Sequence, residues 1–309
     1  MQNIKYYTKS EIKNPVMIAC WAGMGNVGLG AADYIRAKLG AKLLAEVGIG
    51  DLISPEFITV EKGLSSMQSA PSISVYYKKS PPILIALGQE QFYGRPGIAT
   101  MERLLDVAAK YNVKKVFTCA AFPTYMNYKT SPSVYAAANS APVLKWLKDK
   151  MGIPPMEDGH ISGLNGLLLE ASKKKKIDTV CLLATLPMYA ISFPNPRASK
   201  ALIKILRELI GFQLDMTDLD LSIQELDRTL EKVEEQLKSL GIEEGTKDTH
   251  PAQKKSDELP KVILDKIEKL FEEAKKDKKA AHRLKQELDR WDLFKVYEDR
   301  FLDLFRENQ

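Results

Sequence analysis

Two short glycine-rich stretches hold the residues that could do chemistry. The first is Gly23-Met24-Gly25-Asn26-Val27-Gly28, a G-x-G-x-x-G that follows the apolar run VMIACW and leads into GLGAADYIRAKLG. Between a strand and a helix, that spacing is the fingerprint of a turn that holds a dinucleotide pyrophosphate on backbone N–H groups. The second is EDGHISGLNGLLLEA, where His160, Ser162 and Asn165 stand among Gly159, Gly163 and Gly166, with Glu157 and Asp158 just before them. A serine, an imidazole and a carboxylate are the parts of an acyl-transfer set.

Neither stretch is complete on its own terms. A dinucleotide fold needs an acid near the end of the second strand, where Glu46 stands, and then a second crossover helix. Between Gly48 and Gly88 the sequence instead gives FITV, SISVYY and ILIALG separated by turns, which is a run of strands or hairpins. Ser162 precedes an apolar helix, a position where serine commonly serves as N-cap. The chain has no G-x-S-x-G elbow, and His250 and His282 lie far along the sequence. Two readings stay open. The glycines form structural turns that let a neighbouring segment approach closely. Otherwise Gly23, Met24, Gly25, Asn26 and Gly28, with Gly159, His160, Ser162, Gly163 and Asn165, line one cleft for a small molecule or nucleotide, as in an enzyme, with TLPMYAISFPNPR on the same rim. No residue is singled out as catalytic. Cys20, Cys119 and Cys181 have no Cys or His within five residues, so no metal site and no cofactor is expected.

The elements that would position these residues alternate. Short apolar runs predict strands at Val16–Trp21, Lys42–Val47, Phe57–Val60, Ile73–Tyr77, Ile83–Leu87, Lys115–Cys119, Val134–Ala138 and Thr179–Ala184. Amphipathic stretches predict helices near Gly28–Leu39, Ile98–Tyr111, Pro142–Lys150, Leu164–Lys174 and Pro196–Ile210. Strands alternating with helices imply an α/β fold in three layers around a parallel or mixed sheet.

Composition fits a soluble globular chain, with 45% hydrophobic and 28% charged residues. No run approaches the about 20 apolar residues of a membrane span, and MQNIKYYTKSEIKN lacks the apolar core of a secretory signal. A cytoplasmic location follows, with no membrane partner, and three thiols in apolar runs suit a reducing compartment. The charge is divided. Residues 1–214 carry 26 Lys+Arg against 15 Asp+Glu, while residues 215–309 carry 19 against 25. A basic body and an acidic tail predict attraction within or between subunits. The densest basic cluster, Lys173 to Lys176, reads as a solvated helix end, so nucleic acid is not the expected partner.

After the core domain of residues 1–217 the pattern changes. Leu219, Ile223, Leu226, Leu230, Val233, Leu237 and Leu240 recur at spacings of four and three, a heptad helix over 218–240 of coiled-coil type that predicts self-association or partner contact. Residues 241–259 read as a flexible linker and residues 260–309 as a C-terminal helical segment, with apolar stripes at Ile263, Ile267, Leu270 and Phe271 and at Leu284, Leu288, Trp291, Phe294, Tyr297, Phe301 and Leu304.

Four segments together resemble the proteasome assembly chaperone two family, with its archaeal and bacterial homologues. They are GMGNVGLGAADYI (23–35), PSVYAAANS (132–140), GHISGLNGLLL (159–169) and LLATLPMY followed by NPRASKALIKILRELIGFQLDMTDL (182–219), so the resemblance spans about residues 14–240. It implies a phosphorylase/hydrolase-like three-layer α/β fold, assembly into homo-oligomers, and binding of proteasome core-particle subunits, the α subunits among them, rather than catalysis. Members that dock on the finished core particle end in a hydrophobic–tyrosine–any tripeptide, whereas this sequence ends Glu307-Asn308-Gln309, so docking of that kind is not expected.

Overall fold

The computed structural model describes residues 4–50, 52, 59–66, 71–239, 261–276, 278–290, 297, 300 and 301. Its chain divides into two compact units, Met1–Val233 and Glu234–Gln309. In order, the first holds β1 (Ile4–Tyr6), β2 (Val16–Trp21), α1 (Val27–Lys38), β3 (Lys42–Gly48), β4 (Thr59–Glu61), β5 (Leu64–Ser66), β6 (Ser72–Lys78) and β7 (Ile83–Gly88). It continues with α2 (Gly94–Lys110), β8 (Lys115–Thr124), β9 (Val134–Ala138), α3 (Ala141–Met151), α4 (Gly163–Lys174), β10 (Asp178–Pro187) and α5 (Pro196–Ile210). The helix α6 (Thr217–Ser239) follows, and α7 (Lys261–Lys276) and α8 (Lys278–Arg290) belong to the second unit.

Eight strands form one mixed sheet in the order β1-β3-β6-β7-β2-β8-β10-β9. The middle four, β7, β2, β8 and β10, run parallel, and antiparallel strands close both sides. The period of two divides the strand residues between two cores. Ile18, Phe117 and Leu182 face α1, α3, α5 and α6, whereas Met17, Ala19 and Val116 face α2 and α4. That is the three-layer arrangement, and because the middle strands are covered on both sides they read as unbroken apolar runs.

The stretch from Gly48 to Gly88 is strand and hairpin, as its sequence predicts: β4 pairs with β5 as a separate hairpin, and β6 joins the sheet. Phe57, where a strand was expected to begin, lies outside the described residues. The edge strand β1, three residues long and antiparallel to β3, is too short to show a period in the sequence. Cys20, Cys119 and Cys181 are all buried and unpaired by disulfides. A hydrogen bond with Cys20 and burial raise the Cys119 thiol, and burial raises that of Cys181, which leaves both protonated and unreactive. In the second unit Ile267, Phe271, Leu284, Leu288 and Phe301 share a small core of their own. The linker expected over 241–259 lies outside the described residues.

Candidate functional site

All four parallel strands end at one rim, where an α/β sheet keeps its clefts. The first glycine stretch leaves β2 there. Gly25 and Asn26 both adopt left-handed backbone, at φ +58° and +47°. The Gly25 N–H donates to the carbonyl of Ile191 at 2.6 Å, and the Gly25 carbonyl accepts from the Asn195 N–H at 2.7 Å. Asn26 N–H turns back to the Gly23 carbonyl. The turn is thus stitched to the β10–α5 connection, and donors that a phosphate would need are spent on the protein. Gly28 serves packing: a Cβ there would stand 2.1 Å from the carbonyl oxygen of Cys119 on β8. Glu46 takes no part. It sits on β3, separated from β2 by β6 and β7, and accepts a hydrogen bond from the Tyr7 hydroxyl.

The second stretch approaches the same rim from the other face of the sheet. Ser162 occupies the N-cap position of α4, as expected, but its hydroxyl makes no capping bond. Gln91, from the β7–α2 connection, does that work: its Oε1 accepts from the Leu164 N–H at 3.0 Å, while its Nε2 donates to the Ala22 carbonyl at 2.8 Å. One glutamine therefore ties the entry of the first glycine stretch to the start of α4. Gly163, at φ +69°, gives that glutamine its room, and Gly166 packs against the Ile161 carbonyl. Asn165 is buried and bonded to the Thr118 hydroxyl of β8. His160, with Glu157, Asp158 and Gly159, is exposed, as is Ser162. Among the described residues no hydrogen bond joins His160 to Ser162. The two stretches meet, but at a structural tie.

What the rim does present is apolar surface. Met24 follows β2, Tyr93 and Ile98 follow β7, Tyr125 follows β8, and Met188 and Ile191 follow β10. Tyr125 is 75% exposed and Tyr93 67%, and the other four lie between 37% and 47%. Each parallel strand thus delivers at least one large exposed apolar or aromatic side chain to the same end. Methionine and tyrosine are over-represented in the cores of protein interfaces, so side chains of this type at one end of the sheet are candidates for partner contact. Of these, Met24 was among the residues expected from the sequence, and Met188 and Ile191 fall in TLPMYAISFPNPR, the segment expected on the rim; Tyr93, Ile98 and Tyr125 were not expected. The signal was present in GMGN, QFYGRPGI, TYMNY and PMYAI, where apolar residues sit in strand exits that ought to be polar.

The model of the PAC2 family matches residues 17–234, and its end coincides with the end of the first unit at Val233 to within one residue. The chain belongs to the PAC2 family. Several solved structures share the fold. A Pyrococcus furiosus protein, PbaB, described as an archaeal proteasome activator, is 24% identical over 75% of this chain and 98% of its own, with a TM-score of 0.63. PbaA of the same organism, an archaeal homologue of proteasome-assembly chaperone, is 22% identical over 77% of this chain and 99% of its own, with a TM-score of 0.58. A Mycobacterium tuberculosis proteasome-assembly chaperone homologue is 20% identical over 70% and 94% respectively, at 0.58. A comparison with curated protein sequences finds no match.

In this PAC2 chain the heptad stripe has an internal partner. Leu219, Leu226 and Leu230 are buried in the core that also holds α1 and α5, and Ile223 and Val233 are half-buried. The side chain of Leu237 lies outside the described residues. Acidic residues of α6 meet cations of the body: Asp218 pairs with Lys38 at 2.8 Å, Asp220 with Lys200, Asp227 with Arg197 through two contacts of 2.7 Å, and Glu231 with Lys129 at 3.8 Å. The attraction predicted between basic body and acidic tail operates here within the chain, up to Val233.

Proposed function

We propose that this PAC2 protein is a non-enzymatic, homo-oligomeric, chaperone-like protein of the cytoplasm that holds protein partners, proteasome core-particle subunits being the partner class. The observation that carries this reading is the apolar rim of Met24, Tyr93, Tyr125 and Met188, set where the fold would otherwise place a catalytic cleft. Family membership and the proteasome-related descriptions of PbaA and PbaB support it. The absence of any bond between His160 and Ser162 among the described residues, and the internal use of the Gly25 N–H, favour it over a cleft enzyme. Self-association is assigned to the outward side of α6, where Leu221 is 61% exposed, and to the chain beyond Val233.

The test is co-purification with proteasome α subunits from a host that has them, with sedimentation to give the mass of the protein alone. Tyr93→Ser combined with Tyr125→Ser should cut partner capture by more than tenfold and leave the melting temperature within a degree or two, because both side chains are exposed. Unchanged capture by the double variant would remove the rim from the reading. A monomeric mass at all concentrations would remove self-association.

A further inference from the structure

Beside the β9 edge of the sheet, a groove of about 650 Å³ lies between β9, the end of α3, α5 and the start of α6. Its floor is apolar, from Val134, Ile153, Ile205 and Ile223, and one wall carries Arg197, Lys200 and Lys204 at helical spacing along α5. Lys200 and Arg197 are engaged by Asp220 and Asp227, but only Asp220 of these acids lines the groove. Among the described residues Lys204 has no ion-pair partner, and the buried Arg197 Nε–H has no acceptor. The wall therefore keeps positive charge in excess.

The backbone beside it is also unfinished. Strand β9 is the sheet's edge, and its odd-numbered residues bond to β10, as Ser133 does with Thr185. The even-numbered ones face the free edge. Ala136 is paired there: its N–H donates to the Pro154 carbonyl at 3.0 Å and its carbonyl accepts from the Met156 N–H at 2.8 Å. At Val134 the pairing stops. The N–H that would reach the Val134 carbonyl in this parallel register belongs to Pro154, which has none. The Val134 carbonyl thus lacks a strand donor on the edge side of β9, at a residue 9% exposed that lines a groove with an apolar floor and a cationic wall.

We infer that this groove binds a short extended acidic peptide, whose backbone N–H meets the Val134 carbonyl and whose carboxylates meet Lys204 and the Arg197–Lys200 wall. Edge backbone and alternate side-chain pockets are how sheets take up peptide strands, and the charge selects an acidic one. The groove shares no lining residue with the exposed rim side chains, so the inference is tested independently of the proposed partner class.

The probe is a fluorescein-labelled hexapeptide alternating valine with aspartate or glutamate, compared by anisotropy with its asparagine and glutamine counterpart and with inorganic phosphate as competitor, using the full chain. Saturable binding of the acidic peptide is expected, at least tenfold tighter than the amide peptide, weakened by salt, and weakened at least tenfold by Lys204→Glu. Lys204 is exposed, so that variant folds, and its melting curve checks this. Tyr93→Ser with Tyr125→Ser should leave peptide binding unchanged. The inference is overturned if the acidic peptide shows no saturable binding, if Lys204→Glu binds it as well as the parent, or if millimolar phosphate displaces it completely, which would make this a small-anion site.

Discussion

Replacing Gly28 with alanine tests whether this glycine is there to let α1 pack on β8. In an ordinary helix Gly→Ala stabilises by about 1 kcal/mol, because the glycine's backbone freedom no longer has to be lost. Here the new methyl would stand 2.1 Å from the Cys119 carbonyl oxygen and 2.8 Å from its carbon. Both are backbone atoms of a central strand bonded on either side, so they do not yield. Helix α1 must withdraw by about 1 Å to restore normal contact, and a gap of that size forfeits a quarter to a half of the dispersion well of each facing atom pair. Val27, Leu29, Ala32 and Ile35 all look into that interface. Overpacking costs of this kind run to about 3 kcal/mol, so after the helix-propensity gain the net loss is about 2 kcal/mol. For a body of this size that lowers the melting temperature by about 4–8 °C. The comparison is internal. Gly25→Ala is strained by its left-handed backbone and should cost about 1–2 kcal/mol. Gly23→Ala should change nothing measurable, since Gly23 is extended at φ −175° and nothing lies within 4 Å of its added Cβ. Urea unfolding followed by tryptophan fluorescence gives the three values. A stabilising Gly28→Ala, or a Gly23→Ala as costly as Gly28→Ala, would refute the packing argument.

Gln91→Ala removes both bonds of the tie between Ala22 and Leu164 and should cost about 2 kcal/mol in urea unfolding, whereas Ser162→Ala should stay below the about 1 kcal/mol of a working cap. Leu230→Ala should cost about 2–5 kcal/mol and Leu221→Ala almost nothing, since the first is 1% and the second 61% exposed. Asp218 is held below the usual carboxylate range by hydrogen bonds from Lys38 and then Tyr34, and Asp215 by the Thr217 hydroxyl and N–H. A lowered folded pKa gives stability that is present above about pH 4 and lost as the pH falls through the lowered values. Pepsin cleavage at the start of α6 should therefore rise modestly below pH 4, since both carboxylates are exposed, and a rate that only tracks pepsin's own pH profile would count against it. A chain shortened to residues 1–239 should keep the melting temperature of the body and lose mass in sedimentation, and an unchanged oligomer would overturn the assignment of self-association beyond Val233.

The parallel strands were legible because burial on both faces demands unbroken apolar runs, such as VMIACW, ILIALG and TVCLLA. The failure of the dinucleotide pattern was legible too, since no crossover helix fits between Gly48 and Gly88. The rest depended on distance in three dimensions. Ser162 has the right residue type at the right place for a cap, but a glutamine 71 positions earlier in the chain occupies the donor instead. Nothing in local sequence records that substitution of roles. Tyr93 and Tyr125 escaped for a similar reason: they follow strands far from Met24 and Met188 in sequence, and come to the same end of the sheet only when β7, β2, β8 and β10 are laid side by side.

The α6 helix shows how a correct period can leave its partner open. Spacings of four and three specify an apolar stripe along a helix, and any matching surface can cover it. Burying Leu219, Leu226 and Leu230 is worth about 1.5–3 kcal/mol each, while exposed ion pairs contribute about 0–1 kcal/mol apiece. The leucines therefore hold the helix down, and the acids choose where. Sliding α6 by one turn would keep a stripe against the body but would move Asp220 and Asp227 away from Lys200 and Arg197, and take Asp218 from Lys38. Charge placed along the helix thus fixes register in the way that e and g residues do between coiled-coil strands. Because those same pairs draw on Arg197 and Lys200, the docking of α6 and the charge of the neighbouring groove are set together: freeing the helix exposes the two cations, and an acidic peptide that claimed them would loosen the helix in return.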